Sequence, residues 1–238
     1  MRFRAFAPVL LTVLVACAWC EGQVTAPKLE RSDGIRVLMA ALSRGHVSAS
    51  LVFSGLCNGD FPGVRLPAGL DGQPLEMLQA IFPQNSNLQV SQERDGIIRL
   101  SDMETPRDFL NVRISRVRFT MDDATDGPLF DPQEATWAIL RSLEVKKFEA
   151  AHNIDSRPEA IHLPHAPFTT QSPHISGYIV DVTVSQALDY LLKTFPGLWI
   201  YERCPGTVQF SFFTNSPNWE LALRDLERRN RMQPPPEK

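Results

Sequence analysis

The sequence predicts an α+β protein made of two related β-α-β-β units, packed as small sheets with helices on one face. Three observations predict it. Residues 73–83 align with residues 186–196 as an internal repeat. Apolar residues recur at helical spacing in some segments and alternate in others. The aligned helices both end at Phe-Pro and lead into strand-like alternation around a Gly turn.

The chain opens with a segment that stands outside this fold. Arg2 and Arg4 precede an apolar run from Phe6 to Ala16. A charged head, a short hydrophobic stretch and a small-residue exit read as an export signal, too short to span a bilayer comfortably. Residues 1–20 are therefore expected to be a signal peptide or anchor. Leu14-Val15-Ala16-Cys17 resembles a bacterial lipobox, which would make Cys17 the lipidated first residue of the mature chain. Cleavage after Ala18 at the small-x-small site Ala16-Cys17-Ala18 is the competing reading, and an uncleaved anchor is the third. The expected location is periplasmic or membrane-anchored as a lipoprotein, or alternatively secreted.

A mature chain of about 220 residues allows one large domain or two small ones. The 43% apolar and 21% charged fractions are ordinary for a globular protein. Net charge is −3 over the full chain, so there is no basic footprint for nucleic acid. Membrane contact is expected only through an N-terminal lipid. Cys57 and Cys204 both lie in foldable regions, and an oxidising compartment favours a disulfide between them over two buried thiols. Closing so long a loop contributes roughly 4–5 kcal/mol in the chain-entropy picture.

The first unit is expected over residues 21–128. Ile35, Leu38, Met39 and Leu42 mark a short helix stopped by Gly45. Val47, Ala49, Leu51 and Phe53 alternate as a strand towards Cys57. The repeat helix and a strand pair around Gly96 follow. Val112 and Ile114 change phase to Val117, Phe119 and Met121, which predicts a long strand with a bulge near Arg116. Asp131-Pro132-Gln133-Glu134 then opens a long linking helix over 129–150, with an Asp cap and Pro at the first turn. Residues 151–175 hold four prolines and four of the five histidines and read as a loop.

The second unit, residues 176–230, has the clearer pattern. Tyr178 and Val180 belong to a strand. Thr183 and Gln186 form a capping box. Val184, Leu188, Leu191, Leu192 and Phe195 share one helical face. Pro196-Gly197 ends the helix. Leu198 and Ile200, then Val208, Phe210 and Phe212, alternate around Cys204-Pro205-Gly206. A last helix follows Ser216-Pro217, with Trp219, Ala222, Leu223 and Leu226 on one face. Residues 231–238 read as a disordered tail.

The segment Asp181-Val182-Thr183-Val184-Ser185-Gln186-Ala187-Leu188-Asp189-Tyr190-Leu191-Leu192, followed by a strand and a Gly turn, resembles the short N-terminal domain of secretins and TonB-dependent receptors. The resemblance covers residues 176–212, with a weaker echo at 64–100. It implies a small α/β module used for protein–protein contact in the envelope, without catalysis.

Chemical motifs are few. His162, His165 and His174 are the metal candidates, since imidazole suits zinc or copper, with Asp155 and Glu159 nearby. The competing reading is a solvent-exposed, proline-rich loop. Ser54-Gly55 and Ser176-Gly177 lack the Gly-x-Ser-x-Gly elbow of a hydrolase. Asp122-Asp123-Ala124-Thr125-Asp126-Gly127 fits an EF-hand poorly and reads as a polar turn. Arg113, Arg116 and Arg118 lie along one strand, as an anion-binding row or as an exposed face that discourages edge pairing. Trp199 and Tyr201 are either an exposed partner-contact pair or residues covered by the helix from 217 to 230. The leading expectation is an exported, non-catalytic envelope protein that binds a protein or peptide. A metal-assisted hydrolase using the three histidines, with zinc as its cofactor, and a passive structural lipoprotein are the alternatives.

Overall fold

Thr183 ends a strand and starts a helix through the reciprocal bonds its sequence predicts. Its hydroxyl accepts from the Gln186 N–H, and the Gln186 side chain accepts from the Thr183 N–H at 2.9 Å. Such local signals set an order of fourteen elements among the described residues. A computed structural model describes residues 31–54, 72–82, 87–120, 127–159 and 172–232. They run α1 (Arg31–Gly45), β1 (Ala49–Phe53), α2 (Pro74–Ile81), β2 (Leu88–Gln92), β3 (Ile98–Asp102), β4 (Arg113–Phe119) and α3 (Pro132–Leu140). After these come α4 (Leu143–His152), β5 (Asp155–Pro158), β6 (Gly177–Thr183), α5 (Val184–Thr194), β7 (Gly197–Cys204), β8 (Thr207–Thr214) and α6 (Asn218–Met232). The class is α+β, as expected.

Six strands form one mixed sheet in the order β2-β3-β1-β7-β8-β5, and β4 and β6 form a separate two-stranded ribbon. Each half of the large sheet has the same plan, a hairpin followed by a strand parallel to its second arm. In the first half β2 pairs antiparallel with β3, and β1 runs parallel to β3. In the second, β7 pairs antiparallel with β8, and β5 runs parallel to β8. The parallel pair β1–β7 joins them, with Leu51 opposite Ile200.

The strand order repeats while the strand directions reverse, so the two units present opposite faces. Each keeps its helix on one face, but the faces differ. Ala49, Leu51, Ile98, Leu100, Leu198 and Ile200 pack with α1, α2 and α6. Val52, Trp199, Tyr201, Val208 and Phe210 pack on the other side with α3 and α5. The period-2 alternation of the strands therefore feeds two cores. The second is dense in rings: Phe109 lies 6.5 Å from Tyr201 and 5.8 Å from Phe210, centroid to centroid. Burying each such ring stabilises by about 1.5–3 kcal/mol.

Four expectations change. The lead-in strand of the second unit, β6, leaves the large sheet to pair with β4, and β5, placed in the expected 151–175 loop, takes the corresponding position. The linking helix is broken at Arg141 and Ser142 into α3 and α4, although the Asp131 cap forms as predicted, accepting from the Gln133 N–H at 2.8 Å. No residue is inserted near Arg116: the β4–β6 register runs from Arg113↔Thr183 to Phe119↔Gly177 without a slip. The phase change comes instead from a distortion opposite Ser115, where Asp181 has φ 55°. Trp199 and Tyr201 are 1% and 0% exposed and face the core under α5, not the solvent or α6. The Trp199 indole N–H donates to Asp189 at 3.0 Å, and the Tyr201 hydroxyl to the Pro106 carbonyl at 3.1 Å. A covered sheet face must satisfy such polar tips internally.

Candidate partner-binding face

The ribbon of β4 and β6 carries the three strand arginines named from the sequence. Arg113 donates two hydrogen bonds of 2.6 Å to Asp181, one to each carboxylate oxygen. That fork holds the left-handed residue in place and keeps the Asp181 carboxyl below its usual range, first by hydrogen bonding and then by charge. Arg116 lies over the Tyr178 ring, 4.3 Å from its centroid. Arg116 and Arg118 pair with Val180 and Tyr178 and so share one face with them. On it Tyr178 is 61% and Val180 54% exposed.

Hydrogen bonding fixes which backbone groups of β4 point away from β6. Val184 N–H donates to Val112 C=O at 3.0 Å, just beyond the first register pair. Antiparallel alternation then directs the N–H and C=O of Arg113 and Ser115 outward, up to the distortion opposite Ser115. Ser115 agrees, since its N–H donates outward to Glu144 at 3.1 Å and its hydroxyl donates to the same oxygen. These bonds hold the Glu144 carboxyl below its ordinary range, the hydroxyl contributing most.

Beside that outer edge lies a cavity of about 520 Å³, between β4 and α3. Its walls include Arg116, Val117 and Arg118 from β4, Glu134 and Trp137 from α3, and Arg141 and Ser142 from the helix break. Glu134, Trp137 and Arg141 fall at i, i+3 and i+7, one helical face. The Arg141 guanidinium stands 5.5 Å from the Trp137 ring centroid. Ser142 is the N-cap of α4 but makes no side-chain cap bond, and its hydroxyl is buried without a partner among the described residues. Such an atom costs free energy until something bonds it. Sequence reading named Arg116 and Arg118 but missed Trp137, Arg141 and Ser142, which converge only because the helix breaks.

A second polar cluster lies at the border of the first core, with Glu202 and Ser211 buried and Arg31 and Glu159 partly exposed. Arg31 donates to Glu159 at 2.8 Å and to Glu202 at 3.4 Å, and the Ser211 hydroxyl also donates to Glu159. Glu202 is 2% exposed, and burial pushes its carboxyl above the usual range against the pull of Arg31. Its Oε1 has no partner among the described residues. A raised carboxyl can serve as an acid, but this one is itself almost fully buried.

The remaining candidates are not brought together. His174 is exposed, donates from Nδ1 to the Ser172 carbonyl at 3.1 Å and packs 5.5 Å from the Phe130 ring. His162, His165, Cys17, Cys57 and the polar turn at 122–127 lie outside the described residues, apart from Gly127. Among the described residues no cluster of three metal-binding side chains occurs, and no helix is long and apolar enough to cross a membrane. Cys204, at the end of β7, is disulfide-bonded, and the other three cysteines lie outside the described residues. No family model, curated protein or solved structure matches the chain.

Proposed function

We propose that the chain is an exported, non-catalytic envelope protein that binds another protein or a peptide through the β4–β6 ribbon. The observation that carries this reading is the ribbon itself. Among the described residues β6 pairs only with β4, and its surface exposes Tyr178 and Val180. Unpaired strand edges accept further strands, and an exposed aromatic beside β-branched and arginine neighbours is the composition of a contact surface. The leader at residues 1–20 supports export, and the resemblance of 176–212 to envelope contact modules agrees with the partner class. A Cys57–Cys204 disulfide fits the same compartment.

Photo-crosslinking side chains at positions 178 and 180, compared with position 221 on α6, test this. Leu221 is 57% exposed and serves as the control for random capture. In cells that export the chain, the ribbon positions are expected to give a discrete adduct that position 221 does not. Identical patterns at all three positions, or no adduct at 178 and 180, would remove the ribbon as the contact surface.

A further inference from the structure

We infer that the outer edge of β2 is the surface on which a second copy of this chain docks, strand against strand about a two-fold axis at Val90, so that the large sheet runs on through both copies. This surface is separate from the β4–β6 ribbon. Three features converge on it.

The first is the backbone. β2 pairs with β3 without interruption, from Leu88↔Asp102 to Gln92↔Ile98, and none of its residues has a positive φ. The Glu93 N–H donates to the Ile97 carbonyl at 3.0 Å, one step beyond the last pair, which fixes the alternation. The N–H and C=O of Gln89 and Ser91 therefore face β3, and those of Leu88, Val90 and Gln92 face away from it. Ile98 agrees, since its N–H donates on the far side of β3 to the Ser48 carbonyl at 3.0 Å.

The second is the contrast with the opposite edge of the sheet, which is closed. The Asp155 and Glu159 N–H groups donate to the carbonyls of Gly206 and Phe210 at 3.0 and 2.6 Å, so Ser156 and Pro158 of β5 turn outward. The Glu149 carboxylate accepts from the Ser156 N–H at 3.0 Å, and Pro158 has no N–H to offer. Sheet edges that stay free are blunted in this way. β2 is not: Leu88, Gln89, Val90, Ser91 and Gln92 include no charge and no proline.

The third is self-complementarity. A two-fold axis at Val90 sets Val90 against its twin, Leu88 against Gln92 and Gln89 against Ser91. No like charges meet across it. The nearest acid, Glu93, falls opposite Asn87 and is held by Arg99 at 2.9 Å. Val90 and Leu75 pack on the first core but are only half-buried, so the core has an open border here, which a second Val90 covers. A foreign strand finds no charge on this edge to select it, whereas the chain's own strand brings the matching order of apolar and amide side chains.

Sedimentation velocity of the full exported chain over about 1–100 μM tests it, since so small an interface is expected to hold at about 10 μM. Val90→Lys and Val90→Glu put like charges across the axis and should each weaken the dimer about tenfold or more. Mixing the two variants should restore it as a heterodimer, most strongly at low salt. Gln92→Pro removes an outward N–H while sparing the β3 ladder, and should weaken the dimer about tenfold with no added charge. Thermal midpoints are measured in parallel. Gln92 is exposed, so its variant decides the matter if a charge at Val90 disturbs the fold.

A monomer throughout the concentration range would overturn the inference. So would a dimer that survives Gln92→Pro and either charge, because another surface would then hold it. Folded Val90→Lys and Val90→Glu chains that dissociate but do not re-associate on mixing would overturn the two-fold register. A chain that is monomeric alone, yet forms an adduct with a different protein through a photo-crosslinker at position 90, would overturn self-pairing in favour of a foreign strand.

Discussion

Arg99 on β3 and Asp189 on α5 meet through two parallel hydrogen bonds of 2.6 Å, one from each half of the repeat. Asp189 also accepts from the Trp199 indole, and Arg99 also reaches Ser50 and Glu93. The side chains are only 16% and 12% exposed, so the pair is nearly sealed between β3 and α5. The aligned acid of the first unit, Glu76, is exposed. The inverted packing of the two units therefore gave one copy of a repeated acid a partner and left the other in water.

Removing Asp189 leaves the Trp199 indole N–H without its acceptor and the Arg99 guanidinium with only Glu93 and Ser50. Asp189→Ala is expected to cost roughly 3 kcal/mol, within the range for breaking a buried pair. Replacing both partners, as Arg99→Met with Asp189→Leu, should cost clearly less than the single change. Urea unfolding of both variants checks this, and an equal loss in the two would show that the pair is not coupled.

Glu202 predicts a pH dependence with a definite sign. Burial holds its folded-state carboxyl above the ordinary range. Folding therefore favours the protonated form. That contribution is complete below the unfolded value and is lost as pH rises through the raised one. Glu202→Gln should accordingly gain in melting temperature relative to the native chain at about pH 8, and the gain should shrink towards about pH 4. Thermal scans at the two values decide it, and a gain that grows towards acid would contradict the assignment.

Gly197 begins β7 where no side chain fits. A Cβ there would stand 1.9 Å from the Phe213 carbonyl oxygen. Gly197→Ala should destabilise by more than about 4 kcal/mol or prevent folding, because the obstacle is backbone of the paired strand. Gly96 is the comparison: it has φ 86° but nothing within 4 Å of its Cβ position. Gly96→Ala should cost about 1–2 kcal/mol, from conformation alone. Soluble yield and denaturant midpoints separate the two, and similar losses would refute the steric account.

Mapping disulfides in the exported protein under non-reducing conditions is expected to recover one peptide pair, Cys57 with Cys204. Substituting both by Ser should cost up to roughly 4–5 kcal/mol, the entropy of so long a closed loop. A pairing of Cys204 with Cys20, or a free Cys57 after alkylation, would replace this connectivity.

The helices were readable because burial imposes a period that the residues display. The Val184-to-Phe195 face and the Thr183–Gln186 box are stated locally and form locally. Strand partnership is not. Residues 155–158 read Asp-Ser-Arg-Pro, without alternation, yet they form β5, at an edge that tolerates the proline. Tyr178 and Val180 alternate well, yet their strand sits outside the large sheet. Arg99 was illegible for a related reason. A charge in an alternating strand reads as the wet face until a helix from elsewhere covers it. The cavity beside β4 was half legible: its arginines stand out in the sequence, but the break at Arg141 and Ser142 has no Gly or Pro to announce it.

The seam between β1 and β7 has a consequence for how the molecule assembles. During synthesis β1 is made long before its neighbour on that side, about 150 residues earlier in the chain. Until the second half arrives, the first holds an apolar strand with one row of amides and carbonyls bare, a template for sticking to other nascent chains. Neither half is expected to persist as a soluble fragment. A holding factor, or rapid delivery of the C-terminal half, becomes a requirement for yield.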